Sequence, residues 1–457
     1  NWTDVTSLEG NNSWTIWAND TYGNINFSQV NFTVDTTAPV FTDLSNITQD
    51  NDLTVSTDLN ASDASTSIDC FSVNNTDFSI TCLGNLTNSS AIIPGFYYLN
   101  ISVNDSLNNE ISDFITVNIT NSSILADTDV DSCKILNQSN WVYNLVSDVS
   151  SQDTCFNITA DNITLNCNGF EINYSSNGGN YEYGVYSEVI NSTIKNCLIV
   201  EGAETGDYDY GIYFNESSSG LIFNNTIVTT GLGSNNIYLW TRSNSVLINK
   251  NIINTSGSQT SAIISHSNLY TNISNNVINT FGSGSYGIYT SGASKSFVEN
   301  NSVITNTSFA YAFLVWDTNN SYFYNNNVST SGSESKGFYI YEKSKHNVFI
   351  NNSVTTSGDY GDGFYFELNS DNNTFKYLTV QVRGLNSSGI FIQDSNHNFS
   401  FVDSRINSSY YEFKVNSSVT GGTFNFTNVS RFDNNNLNIT WESDASGFMF
   451  MKWYYKA

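Results

Sequence analysis

Cations are scarce in this chain. Fifteen lysines and arginines stand against 42 aspartates and glutamates, a net charge of −27. Nucleic acid and anionic bilayers both demand a basic face, so the balance excludes them as partners. The chain has three histidines, His266, His346 and His397, and two prolines, too few for a proline-rich stalk. No apolar run reaches the length of a membrane-spanning helix, and no leader-like segment opens the sequence. It starts at Asn1 rather than Met, which reads as a mature or trimmed fragment. Charged residues make up 12%, about half the usual share, so solubility must come from another source.

Asparagine supplies it. The 71 asparagines form 36 Asn-X-Ser/Thr sequons, where random placement would give roughly 17. Part of the excess follows from alternating strand composition, and the rest reads as selection for glycans that hydrate the surface. Expected acceptors are Asn46, Asn60, Asn85, Asn100, Asn118, Asn162, Asn215, Asn319, Asn386 and Asn416. Six cysteines in a chain of this character point to disulfides and an extracellular, cell-surface location.

Residues 14–35 recur at an offset of 85 as residues 99–120. Trp14, Ile16 and Ala18 map to Leu99, Ile101 and Val103; Val30, Phe32 and Val34 map to Ile115, Val117 and Ile119. Both copies alternate apolar and polar residues around an Asn/Asp turn, the pattern of a β-hairpin. Thr36-Thr37-Ala38-Pro39 and further strand signals precede the second copy. This stretch resembles the Ig-like modules of archaeal and bacterial surface proteins, which implies a β-sandwich. Cys70 and Cys82 fall in consecutive short strands of that module and read as a hairpin disulfide.

From Gly184 onward a strand opening recurs at Gly184, Gly211, Asn236, Ala262, Gly287, Ala312, Gly337, Gly363 and Gly389, 25 to 27 residues apart. Two apolar columns follow, one from Ile194 to Phe401 and one from Ile199 to Ile406. A period of this size with strands too short for helical repeats is one rung of a parallel β-helix. About ten rungs at strand spacing make a rod of roughly 45 Å. Two residues after the first column stand Asn196, Asn224, Asn249, Asn275, Asn300, Asn325 and Asn351, then Tyr377 and Asp403. The spacing of five between inward columns needs a bend, and asparagine tolerates the left-handed conformation that bends use. We expect an inward asparagine ladder there, with its formal sequons Asn224, Asn300 and Asn351 buried and sparsely glycosylated.

The Gly-Ile-Tyr strand, the Asn-Asn bend and the opening Thr164-Leu165-Asn166-Cys167-Asn168-Gly169 resemble the NosD-type right-handed β-helix family. The resemblance covers residues 130–430 and implies a fold rather than an activity. Cys133 and Cys155 flank the first rung, and Cys167 and Cys197 occupy nearly matching places in neighbouring rungs. Those pairings are expected, although other connectivities remain open on sequence alone. The expected division is residues 1–36, the last hairpin of an incomplete Ig-like domain; 37–122, an Ig-like domain; 123–430, the β-helix; and 431–457, a cap or further domain.

Catalytic chemistry finds little support at this level. Glu342, Lys345, His346, Glu367 and Asp371 would be stacked over two rungs, a carboxylate pair beside a histidine. A solvated turn with ion pairs explains them as well, so no catalytic residue and no enzyme are expected. Asp127, Asp129 and Asp131 resemble the first half of a calcium loop but lack its glycine and bidentate glutamate; a calcium there competes with a polar hinge. Aromatics say more. In the repeated strand the second apolar place points outward and reads Tyr186, Tyr213, Tyr238, Ile264, Tyr289, Leu314, Tyr339, Tyr365 and Phe391. Trp240, Trp316 and Tyr341 lie two residues on. An exposed aromatic strip marks a protein seam or a sugar-stacking platform.

The expectation is therefore a glycosylated, self-associating structural subunit of an archaeal surface layer, sheath or filament. A polysaccharide-binding adhesin is the alternative, and a polysaccharide lyase or glycoside hydrolase the second alternative. Trp14, Phe32, Phe448, Phe450 and Trp453 belong to end segments that read as open strands, suited to head-to-tail exchange between copies.

Overall fold

The computed structural model describes residues 7–50, 53–88, 92, 95–120, 126–202, 206–394, 397–433 and 435–452. The chain divides into two compact units, Asn1–Ser122 and Ser123–Ala457.

The second unit is a parallel β-solenoid of about 12 turns. Its strands stack into three parallel sheets of 14, 13 and 11 strands, and each turn except those at the two ends gives one strand to each sheet. One turn reads Ile237–Trp240, Leu247–Asn249 and Ile252–Thr255, and Ser261–His266 opens the next. Inward side chains form unbroken columns. Ile194, Ile222, Ile248, Ile273 and Val298 give way to Phe323, Phe349, Phe375 and Phe401, all fully buried. The Phe323, Phe349 and Phe375 rings stack face to face at 4.6 and 4.8 Å. Glycine opens many of the 13-stranded sheet's strands because this column faces a branched side chain. A Cβ on Gly287 would sit 2.3 Å from Val303 Cγ1 and 2.6 Å from the Ala312 carbonyl.

The bend between the 14- and 11-stranded sheets is left-handed in every turn from Asn196 to Asn428. Asn196, Asn224, Asn275, Asn300, Asn325 and Asn351 have φ between 53° and 57°, and Tyr377 and Asp403 follow them. The ladder itself is one residue further on than the sequence suggested. Asn225, Asn251, Asn276, Asn301, Asn326 and Asn352 are buried, and each amide Nδ2 from Asn225 to Asn326 donates to the next Oδ1 at 3.0 Å. The same Oδ1 accepts the preceding ladder residue's backbone N–H, as Asn301 does from Asn276. Asn-Asn pairs fit either register by pattern. A residue with positive φ turns its side chain outward, so its successor points in. Lys250, not Asn249, takes the left-handed place in its rung. Asn224, Asn300 and Asn351 are consequently exposed, which corrects the expectation that they are buried.

Residues 431–457 were expected to form a cap or a new domain. Instead Ile439–Trp441 and Ser446–Lys452 extend two of the sheets. Ser446–Lys452 pairs in parallel with Thr420–Thr427, so it is not an unpaired strand. Phe448 and Phe450 are exposed on it, and Trp453 lies outside the described residues.

The first unit holds small sheets rather than a clear Ig-like sandwich. Both predicted hairpins are present in the same register: Trp14 faces Val30, and Leu99 faces Ile115. Leu99, Ile101, Val103 and Val117 are fully buried, within a four-stranded sheet. Trp14, Ile16 and Val30 stay exposed and Phe32 half-buried, because Gly10–Asn19 and Ile25–Val34 form a two-stranded sheet of their own.

All three expected disulfides are formed: Cys70–Cys82, Cys133–Cys155 and Cys167–Cys197.

Candidate functional site

The outer face of the 13-stranded sheet carries the aromatic strip. Parallel pairing sets Tyr186, Tyr213, Tyr238, Ile264, Tyr289, Leu314, Tyr339, Tyr365 and Phe391 in one column. Ring centroids of Tyr213 and Tyr238 are 5.4 Å apart, and those of Tyr339 and Tyr365 5.1 Å. The tyrosines are half-buried against one another. Ile264 and Leu314, at 8% and 5% exposure, are recessed between larger rings, so the column is not uniformly exposed as the sequence implied.

Two residues on, Trp240, His266, Ser291, Trp316 and Tyr341 form a second column. Trp240 stacks on His266 at 4.3 Å, and Trp316 is 37% exposed. Burial lowers the His266 pKa, which favours the neutral ring.

A third column escaped the sequence reading. Tyr183, Tyr210, Tyr286 and Tyr311 stand three residues before the first column, an offset that breaks strand alternation. Tyr286 and Tyr311 stack at 5.3 Å. The repeated Tyr-X-X-Tyr at 183–186, 210–213 and 286–289 was the available signal. Burial pushes the Tyr213 and Tyr311 hydroxyls up to about 12, so they remain protonated donors near neutrality.

Charges on this face are held by its rings. Trp316 Nε1 donates to Glu342 at 2.7 Å, and the Tyr339 hydroxyl donates to Glu367. Burial first, then Glu367, Glu342 and Asp394, raise the Tyr341 pKa, which puts three carboxylates within electrostatic reach of one phenol. Lys336 bonds Asp362 at 3.0 Å and lies over the Tyr365 ring; Lys414 bonds Glu442 at 2.9 Å and lies over Phe391. In the turns beyond, Arg242 pairs with Glu216, while Lys343 makes no ion pair among the described residues.

The acid–base cluster suggested by stacking is dispersed. Glu342 and Glu367 belong to the aromatic face, whereas Asp371 accepts the amides of Asn372 and Asn398 at another turn. Lys345 and His346 enter the hydrogen bonds of that turn row through their backbone amides, Lys345 to Asn319 Oδ1 and His346 to the Asp371 carbonyl. Asp127 and Asp129 lie on Ala126–Val130, exposed like Asp131. The one group of three acidic side chains close enough to share an ion, among the described residues, is Asp35, Asp63 and Asp105 in the first unit. The Thr66 hydroxyl sits among them, within 3.2 Å of each.

None of the ten expected glycan acceptors is buried. Seven consecutive strands of the aromatic sheet, from Ile237–Trp240 to Ser388–Ile392, contain no asparagine. Over the same residues, sequons stand at Asn254, Asn272, Asn300, Asn306, Asn319, Asn327, Asn351, Asn372 and Asn386, all on other faces or turns.

Residues 261–437 match the family model described as "Right handed beta helix region". No curated protein sequence matches the chain. Among solved structures, the periplasmic alginate epimerase AlgG is similar at 11% identity and a TM-score of 0.41, over 69% of this chain and 77% of that one. A mannuronan C-5 epimerase A-module of Azotobacter vinelandii shares 10% identity at a TM-score of 0.43, over 69% and 91%. The Yersinia enterocolitica family 28 exopolygalacturonase shares 9% at a TM-score of 0.33, over 83% and 87%. These neighbours are named as enzymes that act on carbohydrates, which stands against the expectation that the chain is no enzyme, while likeness at this level carries the fold alone.

Proposed function

We propose that this chain is an extracellular polysaccharide-binding protein that stacks sugar rings on its aromatic face. The carrying observation is the aromatic face itself, whose central seven strands, from Ile237–Trp240 to Ser388–Ile392, contain no asparagine, while sequons stand at its ends at Asn157, Asn215 and Asn416. A stretch of that face without glycan acceptors, between Asn215 and Asn416, and lined with rings suits a sugar, whose C–H faces pack on aromatics while its hydroxyls bond the polar edges. Three disulfides fit an oxidising compartment.

The test is a tryptophan-fluorescence titration with soluble polysaccharides, paired with co-sedimentation on insoluble ones. Replacing Trp240 and Trp316 with alanine should weaken binding about tenfold or more and leave the melting midpoint nearly unchanged. A double variant that binds as well as the parent removes the aromatic face from the function.

A second reading rests on the carboxylates around Tyr341. Glu342, Glu367 and Asp394 come from consecutive turns, so a bound glycan would meet acids spaced by one or two rungs, roughly 5 to 10 Å. Acid pairs at such separations cleave glycosidic bonds. Release of reducing ends from a bound polysaccharide, abolished by Glu367→Gln, would establish it; no release over prolonged incubation would leave binding alone.

A further inference from the structure

We infer that the glycan bound on the aromatic face is uncharged. The inference rests on the binding reading above and names the class of its ligand. A uronate polymer carries a negative charge on each sugar, and a protein that takes one up places unpaired cations along its track. Here the two lysines on the face are already engaged, Lys336 with Asp362 at 3.0 Å and Lys414 with Glu442 at 2.9 Å. Both ammonium groups also lie over rings, at 5.1 Å from the Tyr365 centroid and 4.4 Å from that of Phe391.

The acids are arranged in the opposite way. Glu342 and Glu367 receive hydrogen bonds from Trp316 and Tyr339, neutral donors that leave the carboxylate charge in place. Each carboxylate has acceptor sites to spare after one such bond. A neutral sugar brings what this surface lacks, namely hydroxyl donors for those lone pairs and C–H faces for the rings. A uronate brings a second anion to a chain whose net charge is −27. The face also has a grain. Ile264 and Leu314 are recessed two rungs apart, roughly 10 Å, between projecting tyrosines. An extended chain lying along the solenoid axis would meet these two hollows with one tyrosine, Tyr289, between them.

Affinity electrophoresis of the intact chain separates the possibilities. The gels contain, in turn, neutral glucans, mannans, galactans and xylans; chitosan; and alginate and polygalacturonate. Retardation by at least one neutral polymer is expected, unchanged between about 50 mM and about 500 mM salt, with none by the uronates. Glu367→Gln, which keeps the shape but gives up part of the acceptor capacity, should weaken neutral binding about fivefold. Retardation by the uronates equal to or above that by neutral polymers overturns the inference and leaves the binding reading standing. Retardation by chitosan alone, abolished by salt, overturns it in favour of a cationic ligand. If no gel retards the chain, the binding reading itself falls.

Discussion

The asparagine column from Asn225 to Asn352 and the aromatic column from Tyr186 to Phe391 run along the same solenoid, one residue per turn, and invert the usual placement of polar and apolar groups. The amides are buried and the rings half-exposed. The inner column is closed on itself. From Asn251 to Asn326 each amide gives its protons to the next Oδ1 and to a carbonyl of the turn before, as Asn301 does to Asn326 and Ile273, and takes two bonds in return. The outer column is open, since its rings touch rung to rung while one side of each faces solvent. Burial of a polar group is stable here because repetition satisfies every donor. Exposure of an aromatic group has no such internal reason, and the proposed glycan binding rests on that asymmetry.

Truncation should separate the two sides sharply. Phe349→Ala, inside the face-to-face phenylalanine stack, should cost about 4 kcal/mol. Asn301→Ala leaves the partners of a four-bond amide unsatisfied and should cost about 3 kcal/mol, whereas Asn300→Ala at the exposed neighbouring position should stay within about 0.5 kcal/mol. Denaturant unfolding of the three variants decides this. An Asn300 variant as damaged as the Asn301 variant would show that the ladder has been placed one residue wrong.

On the outside, Tyr289→Ala should cost about 1 kcal/mol from lost ring contacts and act mainly on glycan binding. The same contrast bears on modification. Glycopeptide mapping should find Asn300 and Asn351 accessible to glycosylation, because both side chains point out of the bend. Uniform absence at both in a chain glycosylated elsewhere would argue that the bend faces a partner.

How much of this was legible in the sequence follows from what repetition reveals. Inward columns such as Ile222, Ile273 and Val298 recur at a fixed period and alternate, so their burial could be read directly, although adjacent apolar residues put Leu247 in the column where Ile248 stands. The rungs suggested two of the three cysteine pairs, since Cys133 and Cys155 flank the first rung and Cys167 and Cys197 sit at nearly matching places in adjacent turns. The ladder register could not be read, because Asn300-Asn301 offers two equivalent amides and only the sign of φ decides between them. Tyr286 and Tyr311 were missed because an offset of three runs against the strand period. The duplicated hairpin shows the limit from another side. Trp14/Val30 and Leu99/Ile115 share a register, yet only the second pair is buried, because burial depends on what packs over a strand and not on its own alternation. The dispersal of Glu342 and Asp371 has the same origin: stacking fixes which residues share a rung, not which side of a turn they leave by.

Titration carries the inside–outside contrast to its smallest expected effect. Burial raises the pKa of Glu201, Glu299 and Asp362 within the solenoid, against hydrogen bonds that lower it. A carboxyl whose folded pKa lies above its unfolded value, near 4, contributes most stability below that unfolded value. The contribution is lost as pH rises through the folded pKa. In the first unit the sign reverses. Hydrogen bonding, chiefly from Thr66, lowers Asp35; in Asp105 burial is outweighed by Asn109, Leu107 and Thr66. Their contribution is present above the unfolded value and lost as pH falls through the folded one. Acidification from neutral pH towards the unfolded carboxyl value near 4 should therefore raise the solenoid's calorimetric transition, whereas the first unit should weaken only once the pH falls below about 4. The outer tyrosines do not take part, since Tyr213 and Tyr311 hold their protons up to about 12. Glycan binding should accordingly stay level between pH 7 and about 9. A binding curve that falls in that interval with a phenol's titration would mean that the rings are far more exposed to water than their packing allows.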